Sequence, residues 1–217
     1  MTQPSFAAPA HTVQRHGFYR TIGKRAFDLT LVVLSIPFTV PLVMFLALLI
    51  LLTGRNPFYI QKRVGLNGDV FRMWKLQTMV PDADKRLEDY LKANPEAREE
   101  WNSKQKLIND PRITTLGRIL RKTSLDELPQ LFNVFNGTMS LVGPRPMMPS
   151  QEYKYSGIAY YYLRPGISGL WQISDRHEGD FVGRVRFDET YGRELSFATD
   201  VNVLFRTISV IFRGTGC

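Results

Sequence analysis

The chain has 217 residues, 44% of them hydrophobic and 22% charged, which suits one compact domain and excludes wholesale disorder. Lys and Arg outnumber Asp and Glu by 28 to 20, a formal charge of +8 that fits an anionic partner such as phospholipid headgroups, phosphorylated substrates or nucleic acid, and that a merely solubilising surface explains equally well. The single cysteine, Cys217, excludes an intramolecular disulfide, and with His11, His16 and His177 it makes no zinc spacing.

Residues 1–20 are polar, carry Pro4 and Pro9, and read as a loose tail. From Leu29 to Leu52 runs a stretch of 24 residues without a charge. A spanning helix needs about 20 apolar residues, so length alone permits a crossing. Pro37 and Pro41 interrupt the stretch one helical turn apart, and each removes a backbone donor and crowds the carbonyl four residues back. A sharp break leaves two legs of about 12 residues and about 18 Å each, too short to cross. The hydroxyls of Ser35 and Thr39 are placed to serve the freed carbonyls. Lys24 and Arg25 precede the stretch, and Arg55, Lys62 and Arg63 follow it. Basic flanks mark the cytoplasmic side, so both ends are expected on one face of a re-entrant helix, with a kinked span as the alternative.

Tyr59–Val64 and Val70–Leu76 flank an Asn67-Gly68 pair and predict a β-hairpin. Pro81–Lys106 is dense in charge and predicts a solvated helix interrupted at Pro95. Leu116–Lys122 reads as a short basic helix, and Ser124–Asn136 as a second one stopped by Gly137. Tyr160-Tyr161-Tyr162 marks either a membrane interface or ordinary packing. Near the end Val201, Leu204, Phe205, Ile208, Ile211 and Phe212 recur at helical spacing, fitting an interfacial helix or a core helix equally.

The segment Arg121-Lys122-Thr123-Ser124-Leu125-Asp126-Glu127-Leu128-Pro129-Gln130 carries the chemistry. Ser124 with Glu127 is a capping box, a purely structural pattern, and acids in a first turn suit the helix dipole. The same geometry serves a functional reading. A carboxylate at a helix N-terminus is held ionised, as a nucleophile must be. A neighbouring carboxylate can hold magnesium. Leu125, Leu128, Leu131, Phe132 and Phe135 fall on one side of this helix, with Asp126, Gln130 and Asn133 on the other. Downstream, the prolines of Gly143-Pro144-Arg145-Pro146 stiffen an arginine that can grip phosphate bidentately. Arg164-Pro165-Gly166-Ile167-Ser168-Gly169 then reads as a loop or turn ending in Trp171-Gln172. Charge and the capping pattern alone leave a non-catalytic, membrane-anchored binding protein open. The basic residues are scattered, however, and no nucleic-acid module appears.

From about Lys24 to the C-terminus the chain resembles the bacterial monotopic phosphoglycosyl transferases, and in particular the undecaprenyl-phosphate galactose phosphotransferases that start exopolysaccharide synthesis. The resemblance rests on an ordered set: Lys24-Arg25-Ala26-Phe27-Asp28, Lys75-Leu76-Gln77-Thr78-Met79, Ser124-Leu125-Asp126-Glu127-Leu128, and the two proline-glycine segments. It implies an α+β, mainly helical enzyme: a re-entrant N-terminal membrane helix, interfacial amphipathic helices and a small β-hairpin. Residues 1–20 would be a flexible tail, 21–56 the membrane helix with its break at Pro37 and Pro41, and 57–217 a catalytic domain on the cytoplasmic face of the bacterial inner membrane. It implies catalysis by Asp126 and Glu127, with Mg2+ held by the same pair. Substrate contacts would come from Lys75, Arg121, Arg145, Pro146, Gln172 and Arg176. The implied partners are a UDP-hexose, polyprenyl phosphate and membrane lipids, without nucleic acid; a homodimer is compatible with all of this. Two departures stand out. Val40-Pro41 replaces the usual Ser-Pro, and Gln77 stands where a basic residue is common.

Overall fold

A computed structural model describes residues 17–104, 107–174 and 181–212. The chain enters through a π-helical turn, Tyr19–Gly23, that runs into the long helix α1, Lys24–Leu51. Strands β1 (Phe58–Val64) and β2 (Val70–Leu76) pair antiparallel, with Phe58 opposite Leu76 and Val64 opposite Val70. The Asn-Gly signal works as its chemistry dictates: Asn67 and Gly68 take φ of 57° and 84°, and the Asp69 amide donates to the Leu66 carbonyl at 3.1 Å. That mirror-image turn matches the twist of the strands it joins. Phe71, Met73 and Leu76 of β2 point inward.

Helices α2 (Ala83–Ala93) and α3 (Pro95–Lys104) form the charged excursion. The predicted interruption falls at Pro95, which opens α3, where its missing N–H costs nothing. The short helices α4 (Thr115–Lys122) and α5 (Gln130–Phe135) follow. A second sheet was not legible in the sequence. Strand β3 (Ser140–Val142) runs parallel to β4 (Gly166–Ser168). Three-residue strands are too short to display a period, so the segment around Gly166 reads as a turn until its partner is known. Helices α6 (Leu170–Ser174), α7 (Arg184–Glu194) and α8 (Phe197–Phe212) complete the chain.

Helix α1 touches the domain near both of its ends. Val32 joins the main core with Met73, Val134, Val142 and Val203, while Leu46, Ala47 and Ile50 pack on Leu76 and Leu120. About 21 Å of helix separates Val32 from Leu46. No residue between them is buried, and Phe38 is 77% exposed. The helix continues through both prolines. The expected rescue of freed carbonyls differs in detail. Ser35 donates to the Val32 carbonyl at 2.7 Å and Thr39 to that of Ser35 at 3.0 Å, so neither hydroxyl reaches the Val33 or Pro37 oxygen that the prolines release. A short hydroxyl on a helix closes back on the carbonyl three or four residues before it, and both do so here.

The tyrosine triplet is chiefly packing. Tyr160 is fully buried, donating to the Val64 carbonyl and accepting from the Met147 amide, and only Tyr162 is exposed. On α8 the inward residues are Asp200 and Val203, with Leu204 beside them, whereas Phe205 and Ile208 are exposed; the side chains of Ile211 and Phe212 lie outside the described residues.

Docking of both ends of α1 on one domain yields a topological prediction. In a Cys217→Ser background, single cysteines at Thr21 and Thr53 are expected to escape a membrane-impermeant maleimide in intact cells. Both should react after permeabilisation. Labelling of one site alone in intact cells would mean a true span.

Candidate active site

Helix α4 is fixed on the end of β2. The Thr114 hydroxyl caps it by accepting from the Gly117 amide at 2.9 Å, and the Thr114 amide donates to the Thr78 carbonyl at 3.0 Å. Gly117 lies so close to that carbonyl that a Cβ would come within 2.0 Å of it. The last turn of α4 delivers Arg121, whose Nε donates to the Thr78 hydroxyl at 2.9 Å.

The chain then departs from the predicted helix over 124–136. Ser124 adopts left-handed φ and ψ of 55° and 18° and its side chain caps nothing, so the capping box does not form. Leu125–Glu127 makes a 3-10 turn, and α5 begins only after Pro129. Proline has no N–H to offer the Leu125 carbonyl, which the Leu128 amide takes instead at 3.3 Å. Asp126 therefore gains little from a helix dipole. Its electrostatic partner is Lys75 on β2, whose Nζ stands 3.5 Å from Asp126 Oδ2 and 2.9 Å from Glu127 Oε1. Asp126 is only 6% exposed. Burial pushes its carboxyl above the usual carboxylate range, Glu127 adds to the rise, and Lys75 and Arg121 oppose it.

The predicted faces of α5 separate only in part: the polar side is buried, and Val134 and, in part, Leu131 are buried with it. Asn133 accepts from the Trp74 amide at 3.0 Å and donates to the Arg72 carbonyl at 2.8 Å, serving backbone groups of β2 that no strand satisfies. Gln130 is buried too, while Phe132 and Phe135 stand exposed.

A second centre surrounds Arg145. The Gly143 amide donates to the Ser168 carbonyl and the Gly166 amide to that of Pro144, both at 2.8 Å. A Cβ on Gly143 would lie 2.2 Å from the Arg164 carbonyl, so these glycines allow close backbone approach and do more than make a turn. The Arg145 guanidinium lies over Trp171 at 5.9 Å, and that of Arg184 at 5.3 Å from the same ring. Arg184 donates to the Arg145 carbonyl, and Arg63 to the Pro146 carbonyl at 2.9 Å. Burial, then the charges of Arg145 and Arg184, push Arg63 down to about 10. Asp188 lies beneath this group, accepting from the Tyr155 hydroxyl at 2.8 Å. Burial raises its carboxyl from 3.8 to about 6 against the pull of Arg184.

The bacterial sugar transferase family matches residues 19–214. This chain belongs to that family. An exopolysaccharide production protein, ExoY, of Sinorhizobium fredii is 41% identical over 209 residues, covering 94% of this chain and 92% of that protein. An undecaprenyl-phosphate galactose phosphotransferase of Salmonella typhimurium is 42% identical over 195 residues, 89% of this chain and 41% of that longer protein. A UDP-glucose:undecaprenyl-phosphate glucose-1-phosphate transferase of Escherichia coli is 36% identical over 197 residues, 85% and 39% respectively.

In this sugar transferase the structure gathers four of the expected residues, Lys75, Arg121, Asp126 and Glu127, at one point. Arg145 and Pro146 belong to the second centre, and Gln172 lines a cavity with Glu127. Pro37 and Pro41 lie in the exposed middle of α1, and Arg176 lies outside the described residues. Gln77 donates to the Met79 carbonyl at 3.1 Å. No set of three metal-binding side chains gathers among the described residues. The adjoining carboxylates still fit Mg2+, which takes one or two from protein and completes its shell with phosphate oxygens and water. Sequence reasoning missed Arg63 and Arg184. Alternation puts Gln61 and Arg63 on one face of β1, but only the neighbouring loop makes that face an inner one.

Asp188 yields a pH prediction. Its folded value is raised, so the native state binds the extra proton and stability falls as pH rises from about 4 to about 6, by up to about 3 kcal/mol. Asp188→Asn cannot titrate. Its melting temperature in detergent is expected to rise relative to wild type across that window; a constant gap would clear Asp188 of the effect.

Proposed function

We propose that this sugar transferase moves a hexose-1-phosphate from a UDP-hexose to polyprenyl (undecaprenyl) phosphate and releases UMP, as the first membrane step of exopolysaccharide synthesis. The observation that carries this reading is the buried Asp126 carboxylate beside Glu127, Lys75 and Arg121. The names of the similar transferases from Salmonella and Escherichia coli support the substrate classes.

The reaction has two displacements at one phosphorus. An Asp126 oxygen attacks the β-phosphorus of the donor, the bond to the bridging oxygen breaks, and UMP leaves with the electron pair. An oxygen of polyprenyl phosphate then attacks the aspartyl phosphosugar, and the Asp126 carboxylate departs with its electrons, restoring the enzyme. Lys75 opposes the burial that would otherwise keep Asp126 protonated. Arg121 offers charge to the transferring phosphoryl group, and Arg145, preset by its prolines and by Arg63 and Arg184, offers a phosphate fork. Mg2+, held by Glu127 with Asp126, would neutralise charge on the donor phosphates.

Docking of both ends of α1 on the domain supports a re-entrant rather than a spanning helix, and the exposed Phe38, Phe132, Phe135 and Phe205 support a face immersed in lipid. With both termini of α1 on the basic side, the catalytic domain sits on the cytoplasmic face of the inner membrane.

Asp126→Asn is expected to fold and insert normally yet lose turnover by several orders of magnitude, because an amide cannot form the phosphoryl ester. Wild-type enzyme given donor without lipid acceptor should gain the mass of one hexose phosphate at Asp126, with ping-pong kinetics. A fully active variant, or an adduct on another residue, would reject Asp126 as nucleophile. Because burial raises Asp126, its protonated, inert form should persist to higher pH than an ordinary carboxylate's. Lys75→Met should move the acid limb of the rate profile further toward alkaline pH. An unmoved limb would show that Lys75 does not control that ionisation.

A further inference from the structure

A cavity of about 130 Å3 opens beside Glu127, between the 3-10 turn, β4, α6 and α8. An apolar cavity of about 150 Å3 holds a benzene ring, so this space suits a body of nearly that size rather than a single solvent molecule. Leu128, Leu131, Ile167, Ile173 and Val210 line it with hydrocarbon. Three polar residues of the wall turn their groups elsewhere. The hydroxyls of Ser168 and Thr207 bond to each other, and both amide atoms of Gln172 are sealed from solvent. The other two, Ser124 and Glu127, bracket Asp126 in the chain and set one end of the cavity beside it. Away from that end, a sugar ring or a uracil would leave its own hydrogen-bonding groups without partners. Hydrocarbon has no such groups to satisfy.

The helices that form the cavity also carry apolar outer faces. Leu131 is followed on α5 by the exposed Phe132, and Val210 shares α8 with the exposed Phe205 and Ile208. Apolar surface therefore lines the cavity inside and flanks it outside, where the bilayer would lie.

Of the reactants in the transfer, one alone carries hydrocarbon at its reacting end. In polyprenyl phosphate the first isoprene unit is joined directly to the phosphate whose oxygen attacks the aspartyl phosphosugar. Given the reading of Asp126 as nucleophile, on which this inference rests, that unit stands beside Asp126 in the second displacement. We propose that the cavity seats this first isoprene unit, with Leu131, Ile167 and Val210 as its contacts. Burial of the unit then supplies acceptor affinity at the reacting end of the lipid, apart from whatever the rest of the chain gains in the bilayer.

Full-length protein in detergent allows the two displacements to be read separately. Donor alone gives a burst of UMP as Asp126 is loaded, and the KM for undecaprenyl phosphate reports on the acceptor. Val210→Phe fills the cavity. It is expected to raise the acceptor KM by about tenfold or more, the effect of excluding a few methylene groups. The UMP burst should keep its size and rate, which also certifies the fold. Val210→Ala leaves the cavity open and should lie much closer to wild type. An unchanged acceptor KM in Val210→Phe would overturn the proposal. So would a burst slowed as much as the acceptor step in protein with a wild-type melting curve, since the cavity would then hold the donor. The wild type supplies a test that does not depend on the variant folding. Dimethylallyl phosphate, which has a single isoprene unit, should compete with undecaprenyl phosphate about tenfold or more better than methyl phosphate does. Equal inhibition by the two, or none by either, would overturn the seat. Release of UMP by the wild type is a separate readout. If no UDP-hexose yields UMP, the transfer reading fails and takes the isoprene seat with it; if UMP is released while the acceptor measurements stay flat, only the seat fails.

Discussion

Lys24 ties the two ends of the chain together. Its ammonium lies 2.7 Å from Asp200 Oδ2 and 4.0 Å from Asp28 Oδ1, and both carboxylates are buried. Asp200 also accepts the hydroxyls of Tyr19 at 2.6 Å and Tyr191 at 2.7 Å, and Asp28 those of Ser140 at 2.6 Å and the Leu141 amide at 3.3 Å. Charges this deep persist only when every partner is present, and removing one costs about 3–5 kcal/mol. The knot thus joins α1, α7 and α8 to β3. From β3 the chain runs directly into Gly143 and Arg145, and α8 supplies Thr207 and Val210 to the cavity beside Glu127.

The apolar surface of α1 points mostly outward, and that helix is not alone in this. Helix α5 buries Gln130, Asn133 and Val134 and exposes Phe132 and Phe135, and α8 buries Asp200 and Val203 and exposes Phe205 and Ile208. Arg25 adds to the same arrangement by donating to the Val134 and Phe135 carbonyls that end α5. Such helices would be disfavoured in water, because large apolar side chains meet solvent while the buried polar groups need partners. They are satisfied when the interior supplies hydrogen bonds and the exterior is hydrocarbon.

Two electrostatic centres of opposite character complete the molecule. Near Lys75 two carboxylates share one ammonium and one nearby guanidinium. Near Trp171 the guanidiniums of Arg63, Arg145 and Arg184 influence one another, with Asp188 as the facing carboxyl. The first centre suits attack on a phosphorus, the second suits an anion held still. Trp171 on α6 packs beneath the Arg145 and Arg184 guanidiniums, and Gln172, the next residue, lines a cavity with Glu127.

Local chemistry was sufficient for several features. Asn67-Gly68 specified its own turn, Pro95 its own helix boundary, and the ordered motifs the family, because each depends on a few adjacent residues. The acid pair at 126–127 stood out for the same reason, while Lys75, which the structure sets beside it, was reached only through the resemblance. Periodicity grouped Gln130 and Asn133 on α5 but could not say that they are buried, since the burial of Asn133 depends on the unpaired backbone of β2 brought beside it. The capping box at Ser124 failed because Ser124 takes a left-handed backbone, so the Glu127 amide bonds its carbonyl rather than its side chain. Arg63 and Arg184 took their meaning only from neighbours distant in sequence. A residue's conformational preferences belong to the sequence; its burial, its partners and therefore its ionisation belong to the tertiary structure, which alone sets what surrounds it.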